Sequence, residues 1–190
     1  MRRREFVLGA LALGLAGAAP ADDDPLWKKL RGGRHVLLLR HAATDSTLGD
    51  SPDMRIADCA TQRNLSAEGR EQARRIGERI RSEKVPIANV FTSPWCRCRD
   101  TAMLAFGHAE EWEPLGSTFH FPEREAQYAE HVKQRIATYS RRDVGGNVVM
   151  VTHNVNIAAL TKLSVAPGEI VVVRPDGCCG LRTAGRLVIA

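Results

Sequence analysis

Two kinds of hydrophobic pattern alternate along this chain. Short, uninterrupted apolar runs are typical of strands in a parallel sheet, because both faces of such strands are covered. Runs of this kind occur at His35–Leu39, Asn89–Thr92, Asn147–Val151, Glu169–Val173 and Arg186–Ile189. The turn at 175–177 separates the last two runs, which predicts an antiparallel hairpin near the end of the chain.

Between the runs, apolar residues recur at the spacing of helical turns. Ser66 is a predicted N-cap, and Ile76 and Ile80 lie on one face of the helix that follows it. The predicted helices follow Ser66, run from Ser93-Pro94 through Ala105, cover Arg124–Arg142, and extend from His153 to about Leu163. Strands that alternate with helices predict an α/β fold, here a three-layer α/β/α sandwich around a mostly parallel central sheet.

Length and charge limit the classes of function. A chain of 190 residues with 44% hydrophobic residues suits one folded domain. The net charge is +5, and the first residues, Arg2, Arg3 and Arg4 less Glu5, contribute part of it. The remaining basic bias is weak, so the charge does not imply nucleic-acid binding.

The first 21 residues resemble a signal peptide. Basic residues precede the apolar stretch Phe6–Ala19, and Ala19-Pro20-Ala21 has the small-x-small pattern of a signal-peptidase site. We therefore predict export to the periplasm or beyond, a mature domain over residues 22–190, and no stable membrane anchor after cleavage. Arg3-Arg4 resembles the twin-arginine export motif, and an ordinary Sec signal or an uncleaved anchor are the alternatives. The apolar stretch is short for a membrane span.

Five cysteines fit an oxidising compartment but do not define a pairing. Cys96 and Cys98 are two positions apart on a predicted helix, so they point in different directions and make a poor metal pair. Cys178 and Cys179 are adjacent, which disfavours a bond between them. One disulfide that involves Cys59, and buried cysteines without a disulfide, are both compatible with the sequence.

Polar residues of one chemical character follow three predicted strands. Arg40 and His41 follow the first apolar run, Arg97 follows the second and His153 follows the third. In an open α/β sheet, ligands bind beyond the carboxyl ends of the strands, so these side chains are expected to meet in one crevice. Two histidines and two arginines together, beside helix N-termini, form an anion site that suits phosphate.

Four segments around these residues resemble the motifs of the histidine phosphatase superfamily, in its phosphoglycerate-mutase-like branch. They occur in the family's order between about residue 35 and residue 165. They are Leu39-Arg40-His41-Ala42, Asn64-Leu65-Ser66-Ala67-Glu68-Gly69, Ser93-Pro94-Trp95-Cys96-Arg97-Cys98-Arg99-Asp100-Thr101-Ala102, and Val151-Thr152-His153-Asn154.

The resemblance implies a role for each predicted site residue. His41 is the expected nucleophile, whose neutral imidazole attacks phosphorus, while Arg40, Arg97 and His153 bind the phosphoryl oxygens. A cationic His153 would favour that binding. Water then hydrolyses the phosphohistidine, so the resemblance implies no cofactor and no metal, and a small phosphorylated molecule as the partner.

One departure from the family concerns the proton donor. The family commonly has a glutamate where Leu115-Gly116-Ser117 stands here, so Ser117 takes the place of the expected acid. A carboxylate nearby in the sequence could protonate the leaving oxygen instead. The candidates are Glu113, Glu123, Glu125, Asp45, Asp50 and Asp58.

These observations predict an exported phosphomonoesterase, with an envelope sugar phosphate as one candidate substrate. The short sequence between Ala105 and Asn147 leaves room for only a small cap over the pocket, which argues against mutase activity. A binding or sensory protein that has lost turnover is the main alternative, because Ser117 replaces the acid. A metal hydrolase that uses His41 and His153 is a third reading, although no HExxH or clustered ligand pattern occurs. The sequence leaves the oligomeric state open.

Overall fold

The computed structural model describes residues 24–45, 50–141, 144–177 and 180–189. The strands are β1 (Val36–Arg40), β2 (Ile87–Thr92), β3 (Glu110–Glu111), β4 (Asn147–Thr152), β5 (Ile170–Asp176) and β6 (Gly180–Leu187). The helices are α1 (Pro25–Arg31), α2 (Ala67–Ser82), α3 (Cys96–Phe106), α4 (Glu125–Arg141) and α5 (Asn154–Thr161). Short 3-10 turns lie at Cys59–Thr61, Glu113–Leu115 and Pro122–Arg124.

All six strands form one sheet, in the order β3-β2-β4-β1-β5-β6. The four strands from β3 to β1 run parallel, while β5 is antiparallel to β1 and β6 is antiparallel to β5. At the centre, Leu38 pairs with Met150 on one side and Val171 on the other. The predicted mostly parallel sheet and the final hairpin are confirmed.

Two hydrophobic cores cover the two faces of the sheet, because successive strand residues point to opposite sides. On one face, Leu37 and Leu39 pack with buried residues of α1, α2 and α3. On the other face, Val36 and Leu38 pack with buried residues of α4 and α5. The three-layer sandwich is therefore confirmed, and the sheet is covered on both faces as the apolar runs predicted.

The helix that carries Arg97 begins later than predicted. The predicted start was Ser93-Pro94, but α3 begins at Cys96 with Trp95 in the N-cap position. The Ser93 hydroxyl instead accepts a hydrogen bond from the Trp95 amide at 3.3 Å and contacts the ring of His153 at 3.0 Å. A residue that resembled a helix cap is thus part of the candidate site. Other element ends differ from the prediction by a few residues, and the last strand differs most, since β6 begins at Gly180 and not at Arg186.

A disulfide joins Cys59 to Cys96. It ties the long segment between β1 and α2 to the first residue of α3. Sequence reasoning had allowed one bridge at Cys59 without identifying its partner. Cys98 is buried and is the one free cysteine among the described residues, since Cys178 and Cys179 lie outside them.

The predicted signal peptide, residues 1–21, also lies outside the described part of the chain. Within the described residues, no helix has the length and the apolar character that crossing a membrane requires.

Candidate active site

His41 lies directly after β1, where the backbone holds it against the end of β4. Its amide donates to the Thr152 carbonyl at 3.0 Å, and its Nδ1 lies 2.8 Å from the Ala42 carbonyl oxygen. A carbonyl oxygen only accepts, so Nδ1 carries the ring proton and Nε2 keeps a lone pair. Burial, with a further contribution from nearby arginines, lowers the pKa of His41 to about 3. His41 is therefore a neutral imidazole with a nucleophilic Nε2.

His153 lies at the N-cap of α5, directly after β4. Its ring centroid is 5.5 Å from that of His41, and its Nε2 is 3.0 Å from the Ser93 hydroxyl. Burial, and then electrostatic interactions with His41 and the nearby arginines, lower the pKa of His153 well below its ordinary value. His153 is therefore neutral in the free protein, in contrast to the expected cation. A positive charge on its buried ring is unfavourable beside the arginines.

Arg97 projects from the first turn of α3 and is only 3% exposed. Its guanidinium lies 4.6 Å from the centre of the Trp95 ring, and Nη1 donates to Asp50 Oδ1 at 3.0 Å. Its Nε is buried and has no hydrogen-bond partner. A buried guanidinium N–H without a hydrogen-bond partner is unfavourable.

Two further arginines complete the positive lining. Arg40, at the end of β1, donates from Nη1 to the Val165 carbonyl, and its buried Nε has no partner. Arg63, which sequence reasoning missed, lies before α2 and likewise has a buried Nε without a partner. Its amide donates to Asp50 Oδ1 at 2.9 Å. Arg63 directly precedes the second motif, which is the signal that could have drawn attention to it.

These residues surround one pocket of about 490 Å³. All four residues predicted from the sequence line it, namely Arg40, His41, Arg97 and His153, together with Asp50, Arg63, Ser117, Phe119, His120, Asn154 and Val155. We call the buried residues His41, Arg97 and His153 the floor of the pocket, and the exposed residues Phe119 and His120 its rim. Among the described residues, no group of histidine, cysteine or acidic side chains could hold a metal ion.

Other motif residues shape the backbone around the floor. The Thr101 hydroxyl accepts from the Ala42 amide at 3.0 Å and donates to the Arg97 carbonyl at 2.7 Å, so it joins the loop after His41 to α3. Gly69 in α2 lies so close to this loop that a Cβ there would be 1.8 Å from the Ala43 carbonyl oxygen. The glycine is therefore required for α2 to approach the site.

The candidate proton donors separate clearly in space. Asp50 is the one carboxylate of the six that lines the pocket. Glu113 accepts from the Tyr128 hydroxyl at 2.7 Å, and Asp58 pairs with Arg55, each outside the pocket. Asp45, Glu123 and Glu125 are also absent from the lining. Ser117, where the family commonly has its acid, does line the pocket.

Comparison with known proteins gives one family and one fold. A model of the histidine phosphatase superfamily (branch 1) matches residues 36–116. No curated protein sequence matches the chain significantly. Phosphoserine phosphatase from Entamoeba histolytica, solved with 3-phosphoglyceric acid, is 15% identical, with 80% of this chain and 95% of that chain covered and a TM-score of 0.57.

Two further solved structures share the fold. Phosphoglycerate mutase from Thermus thermophilus is 21% identical, with 82% of this chain and 99% of that chain covered and a TM-score of 0.52. The protein histidine phosphatase SixA, solved with tungstate, is 17% identical, with 80% and 96% covered and a TM-score of 0.51.

The family match contains Arg40, His41 and Arg97, and the fold adds His153 from beyond the matched residues. The sequence match, the sheet topology and the pocket agree, so residues 36–116 resemble the histidine phosphatase superfamily and the chain shares the fold of the solved structures.

Proposed function

We propose that the protein is a phosphomonoesterase that works through a phosphohistidine intermediate on His41. The observation that carries the proposal is the state of this side chain. His41 has its proton fixed on Nδ1 by the Ala42 carbonyl, and it lines a pocket with three arginines. A neutral nucleophile beside unpaired guanidinium donors suits attack on a phosphoryl dianion.

The first step transfers the phosphoryl group to the protein. His41 Nε2 forms a bond to phosphorus while the bond between phosphorus and the ester oxygen breaks, and the leaving oxygen takes up a proton. The guanidinium groups of Arg40, Arg63 and Arg97 line the pocket and offer N–H donors to the phosphoryl oxygens, where negative charge concentrates. His153 holds its place through Ser93 and supplies a ring nitrogen beside His41.

The second step regenerates the protein. A water molecule attacks the phosphohistidine, the bond between nitrogen and phosphorus breaks, and inorganic phosphate leaves. The pocket opens towards solvent past the exposed rim, which gives water access. This access favours hydrolysis over a mutase reaction, because a mutase must retain the released intermediate until it accepts the phosphoryl group again.

Trapping of the intermediate tests the proposal. A rapidly quenched reaction with a radiolabelled phosphate ester is expected to give an acid-labile, alkali-stable label on His41. His41→Ala should abolish both the label and turnover, whereas His131→Ala, at an exposed position of α4, should change neither. If the wild-type protein binds phosphate but acquires no label and turns over no ester, it is a binding protein of the same fold.

We also propose that the enzyme acts outside the cytosol, on a small phosphorylated molecule such as an envelope sugar phosphate. The Cys59–Cys96 disulfide supports this location, because disulfides persist in oxidising compartments. N-terminal sequencing of the protein from its host should find a mature chain that begins at Asp22. An intact Met1 in a cytosolic fraction would contradict the proposed location but not the proposed chemistry.

A further inference from the structure

The proposed reaction needs a proton for the leaving oxygen, and the floor of the pocket does not supply one. Arginine side chains keep their protons. His153 is neutral in the free protein, and its Nε2 is engaged with Ser93. His41 is the nucleophile and uses its one ring proton to bind the Ala42 carbonyl.

Asp50, the carboxylate in the pocket, is already engaged by two hydrogen-bond donors of the protein. Its Oδ1 accepts from Arg97 Nη1 at 3.0 Å and from the Arg63 amide at 2.9 Å. These bonds join the carboxylate to Arg97 and to the backbone of Arg63. Asp50 therefore positions Arg97 rather than protonating the substrate.

The rim segment is held at the pocket by two buried side chains. The Thr152 hydroxyl donates to the Leu115 carbonyl at 2.6 Å, and the Asn156 amide donates to the Gly116 carbonyl at 2.7 Å. Thr152 is the last residue of β4 and directly precedes His153. The end of β4 therefore positions His153 and also fixes the backbone before Ser117. This places the next residues of the segment at the mouth of the pocket.

His120 is the side chain at this mouth that can carry a proton. It lines the same pocket as His41 and is exposed, and its ring meets that of Phe119 edge-to-face with centroids 4.9 Å apart. Histidine is a common general acid because imidazole exchanges protons near neutral pH. Exposure lets the ring recover its proton from solvent after each transfer.

We propose that His120 is the general acid of this enzyme, in place of the carboxylate that the family commonly has at the position of Ser117. The inference rests on the proposed phosphatase reaction. As His41 Nε2 binds phosphorus and the ester bond breaks, the imidazolium of His120 gives its N–H proton to the leaving oxygen, and the alcohol departs. The resulting neutral imidazole takes a proton from the water that attacks the phosphohistidine, which restores both histidines.

A pair of substrates with different leaving groups tests this role. In His120→Gln, kcat/KM for an alkyl phosphate such as glycerol phosphate should fall about 10²- to 10⁴-fold, the usual contribution of a general acid. For p-nitrophenyl phosphate the fall should be no more than a few-fold, because p-nitrophenolate leaves without protonation. His131→Gln is the matched control, and it should leave both values unchanged.

A second variant guards against a merely structural effect. In His120→Ala, added imidazole should restore turnover of the alkyl phosphate and have little effect on p-nitrophenyl phosphate. Equal losses for both substrates in His120→Gln, or no loss for either, would overturn the assignment of His120. Failure of the phosphatase reaction itself appears differently, since the wild-type protein would then turn over neither substrate and carry no label on His41.

Discussion

The floor and the rim of the pocket are held in place by different means. On the floor, His41 and His153 are each 3% exposed. A ring nitrogen of His41 contacts the Ala42 carbonyl, and one of His153 contacts the Ser93 hydroxyl. On the rim, Phe119 is 69% exposed, and the segment is fixed through the backbone of Leu115 and Gly116.

The difference separates two tasks. The floor is buried and contains the guanidinium of Arg97, which suits the phosphoryl group of the proposed substrates. The two rim side chains are exposed and contact each other edge-to-face, so we expect substitution there to cost little stability. Under the proposed function, His120 supplies the proton, whereas Phe119 only lies at the mouth of the pocket, so we expect substitutions of Phe119 to alter specificity more than the reaction itself.

The largest expected effect tests the burial of the floor. The pKa of His41 is about 3 in the folded protein and near 6.5 when exposed, so the unfolded chain binds the extra proton between these values. Stability is full above about pH 6.5 and falls as the pH drops towards 3, by about 5 kcal/mol for this group. In urea titrations, the free energy of unfolding of the wild-type protein should therefore fall more steeply with decreasing pH than that of His41→Gln. Parallel pH curves would show that His41 is not buried in the neutral form.

A smaller effect is expected from one charge of the floor. Arg97→Ala removes a charge-assisted donor to the phosphoryl group, of the kind worth about 1.5–3 kcal/mol, so kcat/KM should fall roughly 10- to 150-fold. Arg99→Ala is the control on the same helix, because Arg99 is half-exposed and pairs with Glu111 at the surface. Equal losses in the two variants would contradict a specific role for Arg97.

The smallest effect is expected at Phe119 on the rim. Phe119→Ala removes the ring that contacts His120 edge-to-face, so kcat/KM for an alkyl phosphate should fall only a few-fold. The thermal midpoint should hardly change, because Phe119 is largely exposed. Steady-state kinetics and thermal unfolding of one preparation measure both. A large drop in the midpoint would show that Phe119 packs as part of the core, which would contradict the separation of an exposed rim from the buried floor.

The two floor histidines and Arg40 could be predicted from the sequence because they adjoin buried strands. Arg40, His41 and His153 lie at the carboxyl ends of apolar runs, and these ends must meet at one edge of a parallel sheet. Arg97 follows from its place in a recognised motif. The sheet and the two helical layers were predictable for the same reason, since their periodic patterns extend over whole elements.

The remaining pocket residues come from segments without periodic patterns. Asp50 and Arg63 belong to the long connection between β1 and α2, and His120 follows a 3-10 turn. Which of these side chains reach the pocket depends on long-range contacts, such as the bond from Asn156 to Gly116. The partner of Cys59 could not be predicted for the same reason, because disulfide pairing depends on which residues are close in space.

Cys96 and Cys98 are two positions apart on α3, yet one forms a disulfide and the other remains a free thiol. Cys96 is oxidised, whereas burial raises the pKa of the Cys98 thiol to about 12. Disulfide exchange requires attack by a thiolate, which a buried thiol with this pKa does not supply. In the folded protein, Cys98 is therefore a poor competitor for the bond to Cys59. The burial of one cysteine on α3 thus preserves the disulfide of the other.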